Sequence, residues 1–278
     1  MTEPAHTLVI DTSFGSAVGI VGDDPIIETD SRTHVERLQN NIARAVAQAG
    51  LQPQDVERVV VGVGPAPFTG LRAGIVAAKT IAFATGAQLI GQDILVPQHA
   101  MMRAAHAGAQ TLAEYETFRN LKPIDSTDIR LTLAVNDARR RQLYFAVYVD
   151  DTETSDGIRT IEAMDIDYPQ HIAERVSDII SAMRQKNPEQ RVVLDIVGHG
   201  ALAYQTAWEG LDNVELVAET TLFDLGAEGL RLFASLAETQ TAAAPGNPIE
   251  PLYLRRPDVS VPKPLKQVLH HSGAERTA

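Results

Sequence analysis

Apolar positions along the chain switch between two periods, and the switching lays out its elements in order. Leu8-Val9-Ile10 runs into Asp11-Thr12-Ser13, and Ala17–Val21 and Pro25–Thr29 follow, separated by turns at Gly15 and Gly22-Asp23-Asp24. Short apolar runs bounded by Gly and Asp read as strands. From His34 to Gly50 the apolar residues fall at Val35, Leu38, Ile42, Ala45, Val46 and Ala49, a helical period. Thr33 with Glu36 has capping-box spacing, and Gly50 closes the helix. Arg58–Val63 predicts a strand, 62–74 a Gly/Pro-rich turn, Leu71–Thr85 a helix, Gln88–Ile90 a strand and Leu95–Gly108 a helix.

Residues 109–128 are polar and irregular and read as a link. Beyond it, Leu131–Asp137 repeats the opening pattern of an apolar strand running into an acid, and Gln142–Val149 and Gly157–Met164 supply its partners. Tyr168–Gln185 predicts a helix, Val192–Val197 a strand, Gly198-His199-Gly200 a turn into Ala201–Trp208, Val214–Val217 a strand and Leu222–Glu238 the last long helix. The order β-β-β-α-β-α-β thus occurs twice, with Asp11 and Asp137 at matching corners, an internal repeat carried by element order. The expected organisation is a lobe over 1–108, a link, a lobe over 129–240, then a linker (241–251), a docking segment (252–255) and a mobile tail (263–278).

The helix from Leu71 to Thr85 breaks the usual amphipathic pattern, because only Arg72, Lys79, Thr80 and Thr85 are polar. A helix apolar around most of its circumference must be covered on two sides, by its own sheet and by something else. Gly70, Gly74 and Ala78 fall four apart on one side, with Leu71, Ile75, Ala82 and Phe83 as apolar bulk nearby, a spacing that admits a closely packed neighbour.

Composition narrows the chemistry. Hydrophobic residues make up 44% and charged residues 22% of 278, the range of soluble globular chains. No apolar run spans a bilayer, and residues 1–10 lack a signal-peptide pattern, so a cytoplasmic location with no membrane partner is expected. With no cysteine, disulfides and thiolate chemistry are excluded. A net charge of −12 opposes unaided binding to nucleic acid.

No metal is expected: His99 and His106 lie seven residues apart, about 10 Å along a helix, too far to share one ion. Asp11, Thr12 and Ser13 have the side chains to hold a hydrated cation and phosphate; alternatively Asp11 caps the turn into the next strand. The second turn, Asn136-Asp137-Ala138-Arg139-Arg140-Arg141, lacks the glycine that brings backbone close to phosphate. Its arginines have two readings, phosphate or carboxylate contacts, or a solvated turn. His199 between two glycines is read as a plain turn over a ligand. No Ser-His-Asp order is distinctive.

Ile10-Asp11-Thr12-Ser13, then Gly64-Pro65-Ala66-Pro67-Phe68-Thr69-Gly70-Leu71-Arg72-Ala73-Gly74, Asn136-Asp137-Ala138-Arg139-Arg140 to Tyr144, and Leu252-Tyr253-Leu254-Arg255 resemble the TsaB (YeaZ) family of the actin-like ATPase superfamily. The resemblance implies an α/β fold of two actin-like (ribonuclease H-like) lobes, each β-β-β-α-β-α with a mixed sheet. It implies a non-catalytic dimerization subunit that pairs with TsaD and cooperates with the ATPase TsaE. TsaD transfers a threonylcarbamoyl group from its adenylate to N6 of adenosine 37 in tRNAs reading codons that begin with A. By the same resemblance the chain is a homodimer when alone and reaches tRNA only through the complex. No cofactor is assigned, and the one place left open for ATP or ADP is the TsaD interface.

The implied partner interface uses the two N-lobe helices, with Leu38, Ile42, Val46, Leu71, Gly74, Ile75, Ala78, Lys79 and Ala82. The motif turn is Gly64, Pro65, Phe68, Thr69, Gly70 and Arg72, and Asp11, Thr12, Ser13, Asp137 and His199 mark a degenerate nucleotide cleft. Two departures stand out. The stretch Ile94–Gln98 lacks the two metal-binding histidines, four apart, of TsaD, and Ala66-Pro67 replaces the family's usual Gly-Ser. The rival reading is a free-standing small-molecule kinase or ATPase.

Overall fold

The computed structural model describes residues 6–30, 33–119, 121, 127–243 and 249–254. Two five-stranded sheets carry the fold. In the first, β1 (Thr7–Asp11) lies between β2 (Ser16–Ile20) and β4 (Arg58–Gly62), with β3 (Ile26–Glu28) and β5 (Gln88–Gln92) at the edges. In the second, β6 (Ile129–Asp137) lies between β7 (Leu143–Asp150) and β9 (Val192–Val197), with β8 (Ile158–Asp167) and β10 (Val214–Ala218) outside them. Both are mixed, because each pairs its first strand antiparallel to the next and parallel to the fourth. The repeat in element order is therefore a repeat in topology, and the α/β two-lobe architecture is as expected.

The strands close both corners at an acid: Asp11 pairs in register with Ala17, and Asp137 with Leu143. The central strands are buried on both faces and need apolar runs rather than alternation, as in Leu8-Val9-Ile10 and Val59-Val60-Val61.

Helices α1 (His34–Gln48) and α2 (Phe68–Thr85) cover one face of the first sheet, and α6 (Pro169–Lys186) and α7 (Gln205–Trp208) one face of the second. Helix α1 ends as read, with Gly50 at φ 73 and Leu51 N–H donating to the Val46 carbonyl at 3.1 Å. Its start differs from the expectation. Thr33 has near-helical dihedrals and makes no side-chain cap, so the Thr33–Glu36 spacing does not form a capping box.

Helices α3 (Val96–His106) and α8 (Gly226–Ala243) cross between the lobes. Helix α3 packs on β6, β7 and β8, and α8 on β1 and β5. One apolar cluster accordingly joins Val9 and Val60 of the first sheet to Val197 of the second through Met101, Met102 and Phe233. The link is more structured than its polarity suggested: α4 (Gln110–Ala113) and α5 (Glu116–Arg119) bury Leu112 and Phe118 in that cluster. The last helix is shorter at its start than read, because Leu222–Leu225 is a 3-10 turn. Gly226 separates it from α8 with φ 56 and ψ −136, a conformation that favours glycine, and Thr221 with Asp224 forms a capping box. The tail at 263–278 lies outside the described residues. Among the described residues no helix is long and apolar enough to cross a membrane.

Candidate functional site

The Gly/Pro turn sets α2 against the first sheet. Val63 N–H donates to Gln92, Ile94 N–H to the Gly64 carbonyl, and Asn136 of the second lobe reaches the Pro65 carbonyl at 3.2 Å. Gly64 takes φ 95 and precedes a cis Pro65. The glycines of α2 serve close packing, against the chain's own β1–β2 loop. A Cβ at Gly74 would lie 2.3 Å from Thr12 Oγ1, and one at Gly70 would lie 3.0 Å from the Thr12 carbonyl oxygen and 2.9 Å from His34 Nε2.

That packing buries most of the expected partner face within the lobe itself. Leu38, Ile42, Val46, Leu71, Gly74, Ile75, Ala78 and Ala82 are buried within the lobe, where the apolar side chains form its core with β1, β2 and β4. Of the nine residues expected at the interface, Lys79 alone faces outward. The outward side of α2 instead carries Arg72, Val76, Lys79, Thr80 and Phe83, spaced by three and four residues, with Val76 62% and Phe83 93% exposed. A continuous apolar circumference hides which face a sheet takes, and here the sheet takes Leu71 and Ile75.

The segment 249–254 packs against the start of this helix. Leu252 N–H donates to the Val63 carbonyl, and Ile249 packs on the α1–α2 core. Tyr253 stacks on Phe68 at 4.9 Å, and its hydroxyl accepts from Arg72 Nε at 2.6 Å. The Arg72 guanidinium also lies 3.8 Å from the Phe68 ring centre, a cation–π contact. The expected docking segment thus seats on the motif turn; its last residue, Arg255, lies outside the described residues.

Between the lobes is the cleft. Asp11 accepts from Ser13 N–H at 3.0 Å and Ser13 Oγ at 2.8 Å, which caps the turn into β2. Burial pushes its carboxyl above the usual range, opposed by the Ser13 hydrogen bonds. Phe14, next in the chain, stacks on His199 with ring centres 3.7 Å apart, so a side chain from each lobe meets across the opening. Burial holds the His199 imidazole below its ordinary value, against the pull of Asp224, Glu219 and Asp137. About 60 Å³ remains behind the stack, well below the ~300–1,000 Å³ of small-molecule pockets. Ser16 Oγ, Gln98 Oε1 and Asn136 Oδ1 are buried on residues of its lining without partners.

Asp137, near enough to act on His199, does not line the space behind the stack. It accepts from Arg139 N–H at 2.8 Å and pairs with the Arg139 guanidinium at 3.2 Å. The turn achieves without glycine what glycine would have made easy: Arg139, Arg140 and Arg141 take φ of 64, 55 and 64 in succession.

His99 and His106 occupy one side of α3 and each meets a different carboxylate. His99 Nδ1 lies 2.8 Å from Thr132 Oγ1 and its Nε2 3.2 Å from Asp150. His106 Nε2 lies 2.7 Å from Asp195, with both side chains fully buried. The two pairs fasten α3 to the second sheet. Phe14 was missed as a member of the cleft, since an aromatic in a turn has no period to mark its role.

Comparison with known proteins bears on this geometry. The family described as TsaD, tRNA N6-adenosine threonylcarbamoyltransferase, matches residues 26–107, a stretch that contains α1, the motif turn, α2 and α3. An uncharacterized protein of Mycobacterium tuberculosis is 36% identical over 135 residues, 49% of each chain. A tRNA N6-adenosine threonylcarbamoyltransferase of Ruegeria sp. is 38% identical over 84 residues, 30% of this chain and 22% of that one. The chain spans about half the length, or less, of the curated relatives it matches. Among solved structures, YeaZ from Pseudomonas aeruginosa superposes with a TM-score of 0.60 over 90% of this chain and 100% of that one, at 19% identity. The chain has the YeaZ fold.

Proposed function

We propose that this chain is a member of the TsaB (YeaZ) family, the subunit that pairs with TsaD in the machinery making N6-threonylcarbamoyladenosine at position 37 of tRNA. The observation that carries the reading is the outward stripe of α2, where Val76 and Phe83 stand exposed on a helix whose other sides are filled. Burying a side chain the size of Phe or Val contributes about 1.5–3 kcal/mol, so an open pair on one helix face is a surface suited to a partner. The TsaD-type match over 26–107 supports the same region, since a chain related to TsaD there can pair with it in a pseudo-symmetric way. The outward stripe, with Lys79 at its middle, replaces the buried residues as the proposed interface.

The chain acts without chemistry of its own. The narrow space behind Phe14 and His199 and the glycine-free second turn support a degenerate cleft over a retained ATPase. TsaE cooperates with the pair, tRNA reaches this chain only through the complex, and in the absence of TsaD the same stripe pairs two copies. Reconstitution tests this directly. TsaD and TsaE, supplied with threonylcarbamoyl-adenylate and unmodified tRNA, form modified adenosine only when this chain is added; modification at an equal rate in its absence would refute the proposal.

A further inference from the structure

The chain leaves the described residues at Leu254, and it does so on α2. Tyr253 stacks on Phe68, and its hydroxyl accepts from Arg72, the first member of the outward stripe Arg72, Val76, Lys79, Thr80 and Phe83. Residues 255–278 therefore start beside the face on which Val76 and Phe83 stand exposed. From Arg72 to Phe83 is about 16 Å along the helix axis. An extended chain covers about 3.3 Å per residue, so a small part of this segment is enough to run the length of the stripe.

The sequence of the segment fits that face. After Pro264, apolar side chains fall at Leu265, Val268 and Leu269, with Lys266, Gln267, His270 and His271 as the polar positions around them. Spacings of three and four place the apolar three on one side of a helical turn. Pro264 stands where a helix start tolerates proline, and Gly273 where a helix stops. Val76, Thr80 and Phe83 have the same spacing on α2, so two such rows pack side by side.

Charge keeps the segment close. It carries five Lys and Arg against two Asp and Glu, a net of +3, whereas the rest of this chain of −12 carries −15. The last turn of α2 has no basic residue. Just past it Gln88 N–H donates to the Glu57 carbonyl at 2.9 Å, which brings the exposed Glu57 near the negative end of the helix dipole. Of the stripe's own cations, Arg72 is engaged by Phe68 and Tyr253. The Lys79 stem can lie along an apolar row with its ammonium in water.

We infer that residues 255–278 fold back on α2 and seat Leu265, Val268 and Leu269 on Val76 and Phe83. The segment holds the stripe in a free chain, and a second copy or TsaD displaces it. The seat is independent of the TsaD reading; the competition with TsaD rests on it. A segment docked nine-tenths of the time weakens a competing partner about tenfold.

Because the chain has no cysteine, Gln267→Cys in the full-length protein accepts a single nitroxide. At a concentration where the chain is monomeric, the label broadens the amide resonances of Val76, Lys79, Thr80 and Phe83 and spares those of Ser177 and Asp178 on α6. Leu265→Glu, Val268→Glu and Leu269→Glu together abolish the broadening and raise the affinity for TsaD about tenfold, with thermal unfolding unchanged. Sharp α2 amides in the labelled chain, or broadening that survives the three Glu substitutions, would overturn the inference. Broadening seen only between nitroxide-bearing chains and isotope-labelled chains mixed with them also overturns it and assigns the contact to a second copy. Intrachain broadening with unchanged TsaD affinity overturns the competition alone, and takes TsaD rather than the segment off the stripe.

Discussion

The two lobes share a strand order and differ in what they cover it with. The first sheet sends its fourth strand into α2, 18 residues whose outward side shows Val76 and Phe83. The second sends its fourth strand into α7, four residues that bury Trp208. The long helix of the second lobe, α6, turns Glu174, Ser177, Asp178, Ser181 and Gln185 to solvent, an ordinary amphipathic arrangement. One topology thus carries a long helix with a polar outer face in one lobe and one with an apolar stripe in the other. The difference lies in a single helix, which is why the proposed interaction surface is on the first lobe.

The largest effects should come from fully buried groups, one that joins the lobes and one inside the first. Asp195→Ala leaves His106 buried without its partner, at a cost of about 3–5 kcal/mol, measured by urea unfolding. Ile75→Glu places a carboxylate in the α1–α2 core and abolishes the folded signal in circular dichroism. If Ile75→Glu folds with wild-type stability, the two sides of α2 have been assigned the wrong way round. Gly74→Ala comes next. Its new Cβ meets Thr12 Oγ1, an overpacking cost of about 1–3 kcal/mol, and Thr12→Ala in the same chain recovers part of it.

A smaller effect belongs to the start of α3. Asp93 caps α3 by accepting from Leu95 and Val96 N–H groups, and burial raises its carboxyl from 3.8 to about 6 against those bonds. Because the folded value lies above the unfolded one, the stabilising contribution is complete below about pH 4 and is lost as pH rises through about 6. Asp93→Asn should therefore gain on the order of 1–2 kcal/mol over wild type at pH 8 and lose the advantage at pH 4.

How much of this was legible depended on whether the signal was local. Element order along the chain followed from the two matching β-β-β-α runs, since Asp11 and Asp137 sit at the ends of apolar strands in both. The break at Gly226 was hidden because Leu222, Leu225, Leu230 and Phe233 keep an apolar pattern across it. The direction of α2 was hidden for a stronger reason: Leu71 and Ile75 look like Val76 and Phe83 to any period, and only the position of the sheet separates them. His99 and His106 were correctly placed on one helix, yet their carboxylates, Asp150 and Asp195, come from strands far along the chain. Phe14 meeting His199 joins two turns from different lobes, a contact with no trace in either stretch.

The central claim is that a partner meets the outward side of α2 while the inward side holds the fold together. Affinity of labelled TsaD for the wild-type chain and for Phe83→Glu and Val76→Glu tests it most directly, with thermal unfolding as the control. These exposed substitutions should leave stability within about 0.5 kcal/mol and abolish TsaD binding. Wild-type affinity from a folded Phe83→Glu, Val76→Glu double variant would contradict the account.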